Sequence, residues 1–214
     1  MEHQPTHTMS EPQKIITNLA TLQFPSEEIM EQRRVEYLAE IQNQRKCQLQ
    51  SIMPKAFANT DETRLPQRAL DVALRWATNY KQAPLNLLLA GNTGVGKTRI
   101  AWRALDTRYM ERGTKPQHIG AESFCRRLQR EPDLMLKMCH ASLLLFDDLG
   151  KERTTPTAES AIFELVRERM DNELPTIYTT NFAPDTLKPR FAQKETGEAL
   201  CRRLMESCYA LPVE

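Results

Sequence analysis

The 214-residue chain is sized for one domain with a short appendage, and its 40% hydrophobic content is enough to fill a core. Lys and Arg total 29 against 28 Asp and Glu, a net charge of +1 that excludes a polybasic nucleic-acid coat or an acidic tail protein. The 7 glycines are too few for a turn-rich all-β fold.

Residues 1–24 are polar, with few apolar groups, and are expected to be mobile. Ser26 followed by Glu27 and Glu28 is a helix start, with a capping hydroxyl and acids in the first turn. The helix is expected to run to Ser51 and to end at Pro54, with Met30, Tyr37, Leu38, Ile41, Leu49 and Ile52 forming a narrow apolar stripe. A stripe that narrow suits a partner-binding arm as well as a helix packed on its own domain. A second helix is expected over residues 67–81. The apolar run 85–90, bounded by Pro84 and Gly91, then has the pattern of a buried parallel strand.

From there strands and helices alternate. A helix from Lys97 to about Glu111 is closed by Gly113, and His118-Ile119-Gly120 marks a weak strand. Two short helices follow over 122–129 and 133–140, then a strong strand over 142–147. Thr155-Pro156 opens a helix with Ala158, Ile162, Leu165, Val166 and Met170 on one face. Strands over 175–180 and 207–211 complete an α/β fold: a five-stranded, mainly parallel sheet with helices on both faces.

No apolar stretch approaches the roughly 18 to 20 residues of a membrane span, and the N-terminus lacks the charged start and apolar middle of a signal peptide. The five cysteines contain no C-x-x-C pair. Reduced thiols in a cytoplasmic protein are therefore expected, not a disulfide framework or a zinc site.

Chemistry concentrates at strand ends. Gly91-Asn92-Thr93-Gly94-Val95-Gly96-Lys97-Thr98 matches G-x-x-x-x-G-K-[ST] at every fixed position, between a buried strand and a helix. Gly94 and Gly96 let successive N–H groups turn around phosphate oxygens, and the helix that follows adds its own N–H groups and dipole. Lys97 supplies a point charge at the β- and γ-phosphates of ATP, and Thr98 a hydroxyl for Mg²⁺. The strand Leu143-Leu144-Leu145-Phe146 ends in Asp147-Asp148, and adjacent acids there need a cation. Asp147 would hold the metal through water, and Asp148 would orient or deprotonate the attacking water. Asn181 ends the next strand, where an amide can meet the γ-phosphate or simply form a turn. Arg202 and Arg203 lie adjacent on a helical segment, as two surface arginines would.

In chain order, Ile52-Met53-Pro54-Lys55, the glycine loop, Leu143 to Gly150, the segment from Glu168 to Thr176, and Thr180-Asn181-Phe182 resemble the AAA+ ATPases of the DnaC/DnaI/IstB-like group. The likeness runs over roughly residues 50–212. It implies a P-loop core over residues 51–214, with residues 1–50 as a mobile N-terminus and a partner-binding helix. Within that core it makes Lys97 and Thr98 Walker A residues, Asp147 and Asp148 Walker B, Asn181 sensor 1, and Arg203 an arginine finger acting on a neighbouring subunit. It also implies an ATPase that loads a replicative helicase, gripped by the N-terminal helix, onto single-stranded DNA at replication initiation. A transposition helper ATPase, binding target DNA and a transposase, is the near alternative, and a nucleotide-gated adaptor with little hydrolysis is another. A small P-loop kinase would not need paired acids with a strand-end Asn. The sequence stops at Glu214, leaving no residues for the usual helical lid, so hydrolysis is expected to be weak or partner-dependent.

Overall fold

The computed structural model describes residues 25–79, 84–151 and 155–214. The expected mobile stretch 1–24 lies outside them, and the second helix ends at Thr78, with Asn79 as its C-cap, short of the expected Lys81. The chain divides into two units, residues 1–43 and 44–214.

Helix α1, Glu27–Ile52, begins where the acids predict, and the Ile29 N–H donates to the Ser26 hydroxyl at 3.5 Å. At 100° per residue Met30, Tyr37, Leu38, Ile41, Leu49 and Ile52 fall within an arc of about 120°, so the expected stripe is one face, but it is not uniformly buried. Among residues 25–43, Ile29, Met30, Val35, Tyr37 and Leu38 are all exposed. Of these, Ile29 and Val35 lie outside the arc of the stripe, and Met30, Tyr37 and Leu38 lie within it. Within the second unit, Leu49 is buried and Ile52 partly so, both in one core cluster.

That unit is built on one sheet. Strands β1 (Asn86–Ala90), β2 (Pro116–Gly120), β3 (Leu143–Leu149), β4 (Thr176–Thr180) and β5 (Cys208–Pro212) are ordered β2-β3-β4-β1-β5. Every pairing is parallel, so the sheet is wholly parallel and not merely mainly so. A parallel sheet needs cover on both faces, and its strands are correspondingly apolar throughout. Leu87, Leu89, Leu143, Leu145 and Ile177 face one cluster, packed with α2 (Lys55–Ala58), α3 (Gln67–Thr78) and α4 (Lys97–Arg112). Leu88, Leu144, Phe146 and Tyr178, the alternate positions, face the other. There they meet α5 (Ala121–Leu128), α6 (Leu134–Cys139), α7 (Pro156–Asp171), α8 (Pro184–Leu187) and α9 (Lys194–Ser207).

Polar groups lock these layers. Asn86, which interrupts the first apolar run, is buried and accepts the Thr176 N–H at 2.9 Å through its side-chain oxygen. Arg169 is fully buried and donates to the carbonyls of Met138, Cys139, Ala141 and Pro175 and to the Thr176 hydroxyl, tying α6, α7 and β4 together. Glu159 on α7, also fully buried, accepts the N–H groups of Ala192 and Gln193 at 2.6 and 3.0 Å, which anchors the start of α9. Helix α7 opens as the sequence predicts: the Thr155 hydroxyl accepts from the Ala158 N–H at 3.2 Å, and Pro156 is the first helical residue.

β3 runs two residues further than expected. Phe146 pairs with Tyr178 and Leu149 with Thr180, so one extra residue bulges out, and Asp148 adopts φ +61°. The two acids therefore sit within the strand, not beyond its end.

Candidate phosphate-binding site

The loop 91–98 joins the carboxyl end of β1 to α4. Gly94 and Gly96 have φ of +89° and +97°, the left-handed conformations that a cradle of inward N–H groups requires. Gly91 answers a different demand: a Cβ there would stand 2.0 Å from the Val213 carbonyl oxygen, so only glycine lets the segment after β5 pass. Lys97 is nearly buried, and its ammonium donates to the Asn92 carbonyl at 2.7 Å, folding the side chain back over its own loop. Burial pushes its pKa down, opposed by the charge of Asp148; Lys151 lowers it further and Asp147 raises it. Both acids thus act on the loop lysine.

Thr98 Oγ donates to Asp147 Oδ1 at 3.0 Å, and Thr179 Oγ donates to the same oxygen at 2.5 Å. Burial alone would raise the Asp147 pKa. The approach of His118 and the hydroxyls of Thr179 and Thr98 outweigh it and hold the carboxyl below its ordinary range, keeping it an anion. His118 Nε2 is 4.0 Å from Asp147 Oδ2, too far for a hydrogen bond, and has no other hydrogen-bond partner. A hydroxyl and a carboxylate side by side at a phosphate cradle fit Mg²⁺, which takes few protein oxygens and keeps waters and phosphate ligands. Among the described residues no three His, Cys, Asp or Glu side chains gather as a larger metal site.

Asp148 Oδ1 pairs with Lys151 Nζ at 2.8 Å, and the Asp148 N–H donates to Thr179 Oγ at 2.8 Å. Asn181, just past β4, lines a cavity of about 580 Å³ together with Gly91, Asn92 and Val95. Lys97, Thr98, Asp147, Asp148 and Asn181 therefore gather at the carboxyl edge of the sheet. Arg203 is not with them. It lies near the C-terminal end of α9, which feeds the start of β5, and Cys208 there is in register with Asn86 at the opposite end of β1 from the loop. Arg202 is exposed and borders a separate cavity with Lys188, Glu195 and Met205.

Three neighbours of the acids escape sequence reasoning: Thr179, His118 and Lys151. Thr179 carried no signal there, because its contacts depend on the register of β3 against β4. His118 and Lys151 carried none either.

Residues 26–214 match the family described as IstB-like ATP binding protein. Over 130 residues the chain is 31% identical to the replicative helicase loader DnaI of Bacillus subtilis (strain 168), covering 56% of this chain and 42% of that protein. Among solved structures it resembles DnaI (TM-score 0.62, 21% identity, 76% of this chain and 95% of that one). It also resembles the DnaC helicase loader (TM-score 0.61, 23% identity, 78% of this chain and 96% of that one). These likenesses establish the P-loop AAA+ fold that the strand order and glycine loop already describe. With the family match running from residue 26 to residue 214, the chain belongs to the IstB-like ATP binding protein family.

Proposed function

We propose that the chain binds ATP with Mg²⁺ at residues 91–98 and Asp147, hydrolyses it in an assembly of its own copies, and loads a replicative helicase onto single-stranded DNA. The observation that carries the nucleotide reading is the meeting of Thr98 with the Asp147 carboxylate beside a cradle whose lysine is held at its own loop carbonyl. That lysine contact is one a phosphate oxygen can replace. Mg²⁺ would neutralise charge building up on the phosphates during transfer. Of the chain's own groups, Lys97 meets the β- and γ-phosphates, Thr98 and Asp147 hold the metal and its waters, and Asp148 orients or deprotonates the attacking water. Asn181 donates its amide toward the γ-phosphate, and Arg203 of a neighbouring copy brings the last cation.

The loader reading is supported by the named relative DnaI and by a helix, α1, whose apolar side chains over residues 25–43 stand exposed. We assign that helix the helicase contact. The test is capture of a purified replicative hexamer with ATP, with ADP and without nucleotide, alongside single-stranded and duplex DNA binding. Nucleotide-dependent capture of the helicase supports a loader. Duplex binding with capture of a transposase instead would move the chain to the helper-ATPase reading.

A further inference from the structure

One hydroxyl reaches both acids. Thr179 is fully buried in β4, and its oxygen donates to Asp147 Oδ1 at 2.5 Å while accepting the Asp148 N–H at 2.8 Å. The directions are forced, because a carboxylate only accepts, a backbone N–H only donates, and a hydroxyl has one proton to give. Each contact answers a specific need. The β3 bulge removes Asp148 from the ladder and turns it to φ +61°, so its N–H needs an acceptor from a side chain. Asp147 Oδ1 takes a second donor from Thr98, which fills that oxygen and leaves Oδ2 as the open acceptor, on the side of His118.

We propose that Thr179 is the positioning residue of this site. Its hydroxyl selects which Asp147 oxygen faces the metal's waters and pins the left-handed backbone that aims Asp148. This rests on the reading that Mg²⁺ and ATP bind here. It also links the acids to β4, whose end leads directly into Asn181, two residues on.

The experiment compares Thr179→Val, which keeps the shape and loses the hydroxyl, with Thr179→Ser, which keeps the hydroxyl. Three measurements are made: amide hydrogen exchange at Asp148 in the nucleotide-free protein, affinity for a non-hydrolysable ATP analogue in Mg²⁺ and in EDTA, and turnover at saturating ATP. For Thr179→Val we expect faster exchange at Asp148 and unchanged affinity in EDTA. The gain in affinity on adding Mg²⁺ and the turnover should each fall about 10- to 100-fold, the usual cost of removing a partner that orients a metal ligand. Thr179→Ser should restore all three. Should Thr179→Val fail to melt cooperatively, Thr179→Ala carries the same expectations. Wild-type exchange and Mg²⁺ dependence in the hydroxyl-free variant, or a serine variant as impaired as valine, would overturn the proposal. A wild-type protein that binds no ATP would instead overturn the functional reading beneath it.

Discussion

The guanidinium of Arg203 lies 3.6 Å from the Asp171 carboxylate, and its carbon is 5.7 Å from the centre of the Phe163 ring. Both partners belong to α7, and the contact holds the arginine near the amino-terminal edge of the sheet, opposite the phosphate loop. The ion pair is part-exposed and contributes on the order of 0.2 to 1 kcal/mol, so a better anion can displace it. If that anion is the nucleotide of a neighbouring copy, Arg203→Ala binds ATP normally and hydrolyses it poorly. An arginine supplied in trans is worth about 10³ to 10⁵ in rate in related NTPases. Mixing Arg203→Ala with Lys97→Ala should restore activity, because one interface then joins an intact lysine to an intact arginine. A mixing titration with assembly followed by sedimentation measures this; no recovery at any ratio makes Arg203 a structural partner of α7 alone.

Lys97 and Asp148 should fail differently. Lys97→Ala removes the cation of the loop, and ATP affinity measured by calorimetry should fall below detection. Asp148→Asn leaves Thr98 and Asp147 in place, so affinity should hold while single-turnover hydrolysis slows by about 10²-fold or more, the usual worth of a general base. Loss of binding in Asp148→Asn would contradict this division of labour.

The unit boundary decides where the chain can be shortened. Leu49 is a core residue, Gln48 accepts the Tyr109 hydroxyl at 2.5 Å, and Arg45 donates to the Met110 carbonyl. A protein starting near Ile52 would lose all three contacts, whereas one starting at Gln44 keeps them. The Gln44 form should melt within a few degrees of the full chain and bind ATP equally well, yet no longer capture helicase. Equal capture by both forms would remove residues 25–43 from the interface.

Thiol reactivity should follow burial. No disulfide joins any of the five cysteines. Burial pushes the Cys201 pKa up to about 11 and Cys208 up to about 12, and it raises Cys139 as well, so all three are protonated at pH 8. Cys47 is exposed. Labelling at pH 8 followed by mass spectrometry should therefore mark Cys47 within minutes, and Cys139, Cys201 and Cys208 only after denaturation. Fast labelling of Cys208 in the native protein would show that β5 opens from the sheet.

What could be read from the sequence was whatever local chemistry dictates. The glycines and lysine of residues 91–98 stand at a spacing that only a phosphate cradle explains, and the apolar runs before them and at 143–146 could only be covered strands. The bulge at Asp148 was not legible, because aspartate enters the left-handed region only occasionally and marks it far more weakly than glycine does. Thr179 was not legible either: its role depends on β3 and β4 being in register, and its contact with Asp147 spans 32 positions. The α1 stripe was legible as a face, but which of its residues join the core was not. Leu49 and Ile52 belong to a core assembled from distant segments, while Met30, Tyr37 and Leu38 do not.

The order β2-β3-β4-β1-β5 also governs when the site can exist. β1 is the first strand made and pairs only with β4 and β5, the last two. The Asn86–Thr176 bond spans 90 positions, and the Val213 N–H closes on the Ala90 carbonyl at 2.8 Å, at the root of the glycine loop. A nascent chain that has emerged only through β3 therefore holds the whole phosphate motif but none of the strands that flank it. Folding dominated by such distant pairings is slow, and exposed strand edges are prone to aggregation until they are joined. Nucleotide binding is thus a property of the finished chain, and ATP added during refolding should raise the yield of native protein by trapping the last strand in place, not by speeding the first steps.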